Sequence, residues 1–385
     1  MATMPDGSRH FTHGGDFDPA RDEPLLSAAG FAPERAPPCI DEPLLDYHAH
    51  YVYAYPFDLP DRSAQLAPEL RRMVAEANGL LYLEGAEFGA PVEYPFLCDD
   101  DGQVHISVVA LPFERGSATY VEVAAFLHAA GYADPHAKYW LFVDDKTSCG
   151  CGGVAFAPLD PTRTPLNNAN GGALYGANYG YTGSFGALVH MHENGHNLGA
   201  VNSFAPDQSG GAHCNDGQDI MCYPDGGWNS SYRGDACARM HFDCDHDTYF
   251  HPDPPAGSFL AKRWQLGAPV DRFVRGCFLG QGIVLAPGLT TSLGVPLGCE
   301  GHVYAIYGEN VFAPTASATS LIGGGPVGRF ALNEFTVCWY SGDVELACPA
   351  NTQPWGHEER VPIGADRAIV TWVEGVQGRF TLSVI

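Results

Sequence analysis

Twelve cysteines constrain this chain more than any other feature. They lie at positions 39, 98, 149, 151, 214, 222, 237, 244, 277, 299, 338 and 348, dispersed through 385 residues. A bonded pair removes freedom from the unfolded chain, so long aperiodic stretches can be held rigid. An even, scattered set predicts disulfides and an oxidising compartment. Structural zinc is the competing expectation. The one close pair, Cys149-Gly-Cys151, lacks the two-residue spacer and the matching second pair of a zinc ribbon. The N-terminal stretch MATMPDGSRHFTHGG has neither a basic nor an apolar signal region. A secretion signal is therefore expected to be absent from this chain or already removed.

The net charge is −25. Such a polyanion lacks the basic footprint that nucleic acid or an anionic membrane surface requires. With 46 glycines and 30 prolines, a helical bundle or coiled coil is disfavoured. No apolar run approaches the ~18 residues of a membrane span.

Residues 1–44 are rich in Pro, Asp and Glu without a period, which predicts a leader or loosely packed arm. From 45 to 268 the pattern changes. His48–Tyr55 alternates and is aromatic, a strand by period and propensity. Leu70, Met73, Val74 and Leu80 fall at helical spacing, Val104–Leu111 reads as a buried strand, and Thr119–Ala130 as a helix ended by Gly131. Tyr139–Val143 is the next strand. This β-α-β-α-β order predicts an α/β sheet layer. Cys149–Pro158 reads as a short edge strand, 159–181 as a loop, Phe185–Gly199 as a helix and Phe259–Leu266 as a last short helix. From 269 to 385, short β runs separated by Gly/Pro turns predict a small all-β, sandwich-like domain.

The helix expected at 185–199 carries His192-Glu193-Asn194-Gly195-His196. Histidines four apart on a helix project to one side, so both imidazoles can reach one metal. Glu193 follows the first histidine and can deprotonate a water held there. A five-residue pattern also arises by chance. Here an apolar helical stretch precedes it, Gly199 follows where the helix must end, and Asp219-Ile-Met-Cys-Tyr223 appears downstream.

These segments resemble the metzincin clan of zinc peptidases, whose long motif HExxHxxGxxH, or its Asp variant, is followed by a methionine-containing turn. The motif runs from His192 to Asn202, Met221 fits the turn, and the likeness covers residues 46–268. Within that clan they resemble secreted bacterial metzincin-like peptidases. The resemblance implies an α+β fold: a twisted, mostly parallel sheet with helices, an active-site helix and an irregular disulfide-rich subdomain, followed by the β domain. It implies a secreted zinc metalloendopeptidase with His192 and His196 as ligands and Glu193 as base, and a peptide substrate extended along the edge strand near 150–156.

The pattern departs from the clan at its third ligand, where Asn202 stands. An amide oxygen is a weak zinc donor. His213 is the preferred replacement, because glycines at 210 and 211 give it reach and a Cys214–Cys222 bond would restrain it beside the Met-turn. Asn202 through its carbonyl oxygen, or Asp207, Asp216 or Asp219, remain alternatives. The resemblance also offers Tyr223 as an oxyanion donor, with core packing as the competing role.

Asp243, Asp245 and Asp247 alternate and can converge on a hard cation such as Ca2+, although they lack the rest of an EF-hand loop and a solvated acidic surface is the favoured expectation. Cys39 is expected in a disulfide with Cys98, Cys149 or Cys151, a pro-segment thiol that plugs the zinc being the alternative. The aromatic residues after 269 are expected in the core of the β domain. The rival functional reading is a non-catalytic zinc-binding recognition or adhesion protein on a peptidase scaffold.

Overall fold

The computed structural model describes residues 2–3, 9–12, 39–40, 47–88, 91–134, 136–145, 152–157, 175–179, 185–202, 204–229, 231–234, 237, 240–263, 265–266, 271, 273–274, 277–285, 288–294, 304–310, 334–348, 361–363, 365, 367–374 and 378–384. The expectations for Cys149, Cys151 and Cys299 lie outside these residues.

The elements are, in chain order, β1 (Ala2–Thr3), β2 (Arg9–Thr12), β3 (His48–Pro56), α1 (Ser63–Glu87), β4 (Ile106–Leu111), α2 (Tyr120–Ala129), β5 (Ala137–Val143), β6 (Gly153–Ala157), β7 (Tyr175–Tyr179), α3 (Ala187–Asn197) and α4 (Phe259–Lys262). Then come β8 (Cys277–Leu285), β9 (Thr290–Gly294), β10 (Tyr304–Asn310), β11 (Glu334–Ser341), β12 (Val344–Ala347), β13 (Arg367–Glu374) and β14 (Gly378–Val384).

β3 and β5 are buried on both faces, as central strands of a covered sheet are. Alternate side chains serve two cores. Tyr51, Tyr53, Trp140 and Phe142 pack with Leu70, Met73, Val74, Ala77 and Leu80 of α1 and with Met191 of α3. Val52, Ala54, Leu141 and Val143 pack on the opposite face with Tyr120, Val123, Ala124 and Leu127 of α2. The helical spacing in α1 and α2 thus lands on the two faces of one sheet. α2 begins with a capping box, in which Thr119 accepts from the Glu122 backbone and Glu122 accepts from the Thr119 backbone.

Seven strands form this sheet in the order β1-β2-β6-β7-β5-β3-β4. Pairing is parallel across β4-β3-β5-β7, then antiparallel from β7 through β6 and β2 to β1. Three features differ from the sequence reading. The parallel character is confined to one half of the sheet. β7 lies within the stretch expected as a loop, since Tyr-Gly-Ala-Asn-Tyr has little strand character of its own and is recruited by the ladders of β5 and β6. β6 is not an edge: β2, from the expected arm, pairs with it antiparallel, with Thr12 opposite Val154 and Arg9 opposite Ala157.

Beyond residue 277 the strands are antiparallel in two sheets, β10-β14-β8 and β12-β11-β13-β9. On β11 and β13, Val337, Trp339, Ala368 and Val370 alternate inward and are buried. The architecture is therefore mixed: an α/β layer with a half-parallel sheet, and two antiparallel sheets. Among the described residues four disulfides join Cys39–Cys98, Cys214–Cys222, Cys237–Cys244 and Cys338–Cys348. None of the helices among them is long and apolar enough to cross a membrane.

Candidate metal centre

α3 lies across the sheet because its inward polar groups find partners there. Asn197 accepts from Trp140 Nε1 at 3.1 Å and donates to the carbonyls of Phe156 and Tyr175, each at 3.2 Å. One amide thus ties the helix to β5, β6 and β7. The rings of Tyr51 and Phe142 pack on His190. The helix ends in a Schellman motif: Ala200 N–H bonds Gly195 O at 2.8 Å and Gly199 N–H bonds His196 O at 2.9 Å.

That placement buries His192, Glu193 and His196 together. His192 Nδ1 donates to the Ile220 carbonyl at 2.7 Å, which directs its Nε2 inward. His196 Nε2 lies 3.0 Å from His192 Nε2 and 3.1 Å from His213 Nε2. Donors on a tetrahedral zinc with bonds of about 2.0–2.1 Å stand about 3.3 Å apart, so the three nitrogens are close to the spacing one zinc requires. His192, His196 and His213 each offer an atom within 4.8 Å of the others and can hold a metal ion.

His213 reaches this point from an irregular segment. Cys214 bonds Cys222, and Cys214 N–H donates to Met221 O at 3.2 Å, which fastens His213 beside the turn at Met221. Its Nδ1 meets Asp225 Oδ2 at 2.8 Å. Burial would raise the Asp225 carboxyl, but hydrogen bonds from His213, Ser209 and the Gly227 backbone outweigh it and hold it at about 2. A permanent anion there keeps the Nδ1 proton in place and the Nε2 lone pair free. Burial lowers the His213 pKa despite Asp225.

The turn at Met221 underlies the helix. Met221 Sδ would stand 2.6 Å from a Cβ on Gly195, so only glycine lets the two approach. Asp219 holds the turn by accepting from Met221 N and Cys244 N and from the Tyr249 hydroxyl. Opposite, a Cβ on Gly153 would collide with the Glu193 carboxylate, which places the β6 backbone directly against it. Both Glu193 oxygens are buried and have no hydrogen-bond partner among the described residues. Burial pushes this carboxyl well above the usual carboxylate range. A buried acid without a partner is costly and marks a position prepared for a ligand or water.

No protein-family model matches the chain, and no curated protein matches it. Among solved structures it is similar to wild-type OgpA from Akkermansia muciniphila in two crystal forms. The identities are 10% and 9% and the TM-scores 0.32 and 0.31. The matches cover 90% and 92% of this chain and 90% and 87% of those chains. Catalytically inactive OgpA in complex with an O-glycopeptide (glycodrosocin) substrate is similar at 8% identity and a TM-score of 0.34, over 92% of this chain and 86% of that one. At scores this low the likeness carries no argument.

The remaining candidates fall as follows. The Tyr223 ring packs 4.2 Å from that of His213 and 5.7 Å from that of His192. Asn202 is buried, and its backbone carbonyl accepts from Ala205 N–H at 3.1 Å. Asp207 and Asp216 pair with Arg233, and Asp219 serves the Met221 turn, so none of the three aspartates belongs to the histidine group. Asp243, Asp245 and Asp247 do not converge as the Ca2+ expectation required. Asp243 accepts the backbone N–H groups of Thr248, Tyr249 and Phe250, Asp245 faces Arg233 and Asp247 bonds Thr248. Cys39 is disulfide-bonded to Cys98 and is no thiol plug. Asp225 and Asn197 were missed from sequence, because neither stands at a motif position; the turn-forming Pro224-Asp225-Gly226-Gly227 run was the only local signal for the former.

Proposed function

We propose that the chain is a secreted zinc-dependent endopeptidase, with zinc held by His192, His196 and His213 and with Glu193 as general base. The observation that carries the reading is the convergence of three inward-facing imidazole nitrogens beside a buried carboxylate that has no hydrogen-bond partner among the described residues. Residues 45–268 form the peptidase domain and 269–385 a C-terminal all-β domain. The disulfides support an extracellular location.

Zinc in this position supplies Lewis acidity, polarising a peptide carbonyl and acidifying water. The chain supplies the rest. Ile220 O and Asp225 keep the His192 and His213 rings in the ligating tautomer. Glu193 takes the proton of the attacking water and delivers it to the leaving amine. Tyr223, packed against both ligand rings, donates its phenol to the oxyanion. Glu193→Ala is expected to keep the wild-type zinc content while casein cleavage falls at least ~10²-fold. Near-normal cleavage by that variant removes the mechanism.

A further inference from the structure

A second group of donors stands apart from the histidine trio, where the last turn of α1 meets the segment after Cys237. Glu84 and Glu87 come from α1, His241 and His246 from the segment. The Glu84 side chain is fully buried, and its Oε2 lies 3.0 Å from His241 Nδ1. The His246 ring stands nearly perpendicular to that of His241, centroids 5.9 Å apart, and its Nε2 is 3.7 Å from Glu87 Oε2. Phe88 packs edge-on against His246 at 4.7 Å and limits its rotation. One donor atom from each of Glu84, His241 and His246 lies within 4.8 Å of the other two.

A fully buried carboxylate calls for a cation. One imidazolium beside Glu84 would supply it, yet a second imidazole and a second carboxylate are packed at the same point. Two imidazolium rings there would repel. A divalent ion held by two neutral imidazoles and the two carboxylates balances the charge of the whole group. Hard Ca2+ and Mg2+ take nearly all-oxygen shells of six or more ligands, which this group does not offer. Two nitrogens with carboxylate oxygens suit zinc in a closed, four-ligand structural site.

We propose that Glu84, His241 and His246 form a second, structural zinc site, with Glu87 as the fourth ligand. Its position gives it a purpose. His241 N–H bonds Gln218 O and Ile220 N–H bonds His241 O, both at 2.9 Å. The Ile220 carbonyl is the group that orients His192. Zinc at the second site therefore anchors to α1 the segment at Gln218–Ile220 that braces the first ligand of the other centre. The disulfide Cys237–Cys244 restrains the same segment.

Zinc binding separates this site from the first. The full-length His192→Ala/His196→Ala double variant, stripped with a chelator, is titrated with Zn2+ alone in a calorimeter. One equivalent is expected to bind. Adding Glu84→Gln, which keeps the shape and the contact with His241, is expected to weaken that binding by more than the ~100-fold that even outer-shell losses reach. In the otherwise wild-type chain, His246→Gln is expected to lower the zinc content by one ion per molecule and to abolish the second-site visible bands after Co2+ substitution. The proposal is overturned if the double variant binds no Zn2+, or if Glu84→Gln and His246→Gln leave its binding unchanged.

Discussion

Removing the imidazole of His213 takes away one of three nitrogens that stand 3.0 and 3.1 Å apart, and leaves Asp225 buried without the ring it holds. Asn202 is a neutral amide in the tight turn after Gly199, where a short polar side chain can bond local backbone. His213→Ala is therefore expected to lose the zinc of the trio under mild chelation, whereas Asn202→Ala retains it. The check is zinc analysis after dialysis against a weak chelator. The opposite order would return the third ligand to the clan spacing. The pair His192 and His196 was legible in sequence because four residues of helix set their geometry. The position of His213, seventeen residues beyond His196, depends on a disulfide and on Asp225, and no local period encodes either.

Among elements, β2 has the most direct bearing on substrate. A peptide that extends the sheet at β6 must take the hydrogen bonds that Arg9–Thr12 now make with Val154–Ala157. The same strand runs over Glu193 at Gly153. On the proposed reading the N-terminal segment would compete with substrate for one edge, and the tie at Cys39–Cys98 keeps the later part of that segment on the molecule. Deleting residues 1–12 is expected to raise kcat/KM on an extended peptide by about tenfold or more, the equivalent of ~1.4 kcal/mol of competing pairing. Steady-state kinetics on one peptide substrate measure it, and unchanged values would show that the two strands do not compete. The helices α1, α2 and α3 were readable from apolar spacing, and the ends of α2 and α3 from Gly131 and Gly199. β7 and β2 were not, because glycine-rich or polar segments become strands only when a neighbouring ladder recruits them.

At the scale of the whole molecule, stability depends on groups folded away from their preferred charge. His50 Nε2 lies 2.8 Å from Ser107 Oγ, and the His50 ring packs among Tyr139, Tyr132 and His105. Burial, then the nearby His48 and His105, lowers its pKa to about 3, against the pull of Asp134. Unfolded, the same ring titrates near 6.5. Between those values the unfolded chain binds more protons, so the stability His50 contributes is complete above about 6.5 and is lost as pH falls through the window. His50→Gln keeps a hydrogen-bonding group and removes the titration. Wild type is expected to lose up to about 1.4 kcal/mol per pH unit more than the variant between pH 6 and pH 4. Urea unfolding of both chains at several pH values tests this, and parallel curves would refute it.

Local chemistry settled what local sequence could express. The HExxH helix, its stop at Gly199, the Met221 turn and the disulfide-rich character all follow from residue type at short spacing, where backbone geometry relates the positions directly. Tertiary structure decided what short spacing cannot express. It set the pairing of β2 on β6, the insertion of β7 and the engagement of Asp243 and Asp247 with the Thr248 segment and of Asp245 with Arg233. It also gathered His213 with Asp225, and Glu84 with His241 across 157 residues. Each of those juxtapositions is made by packing of the whole chain, and burial then determines which charges can exist there.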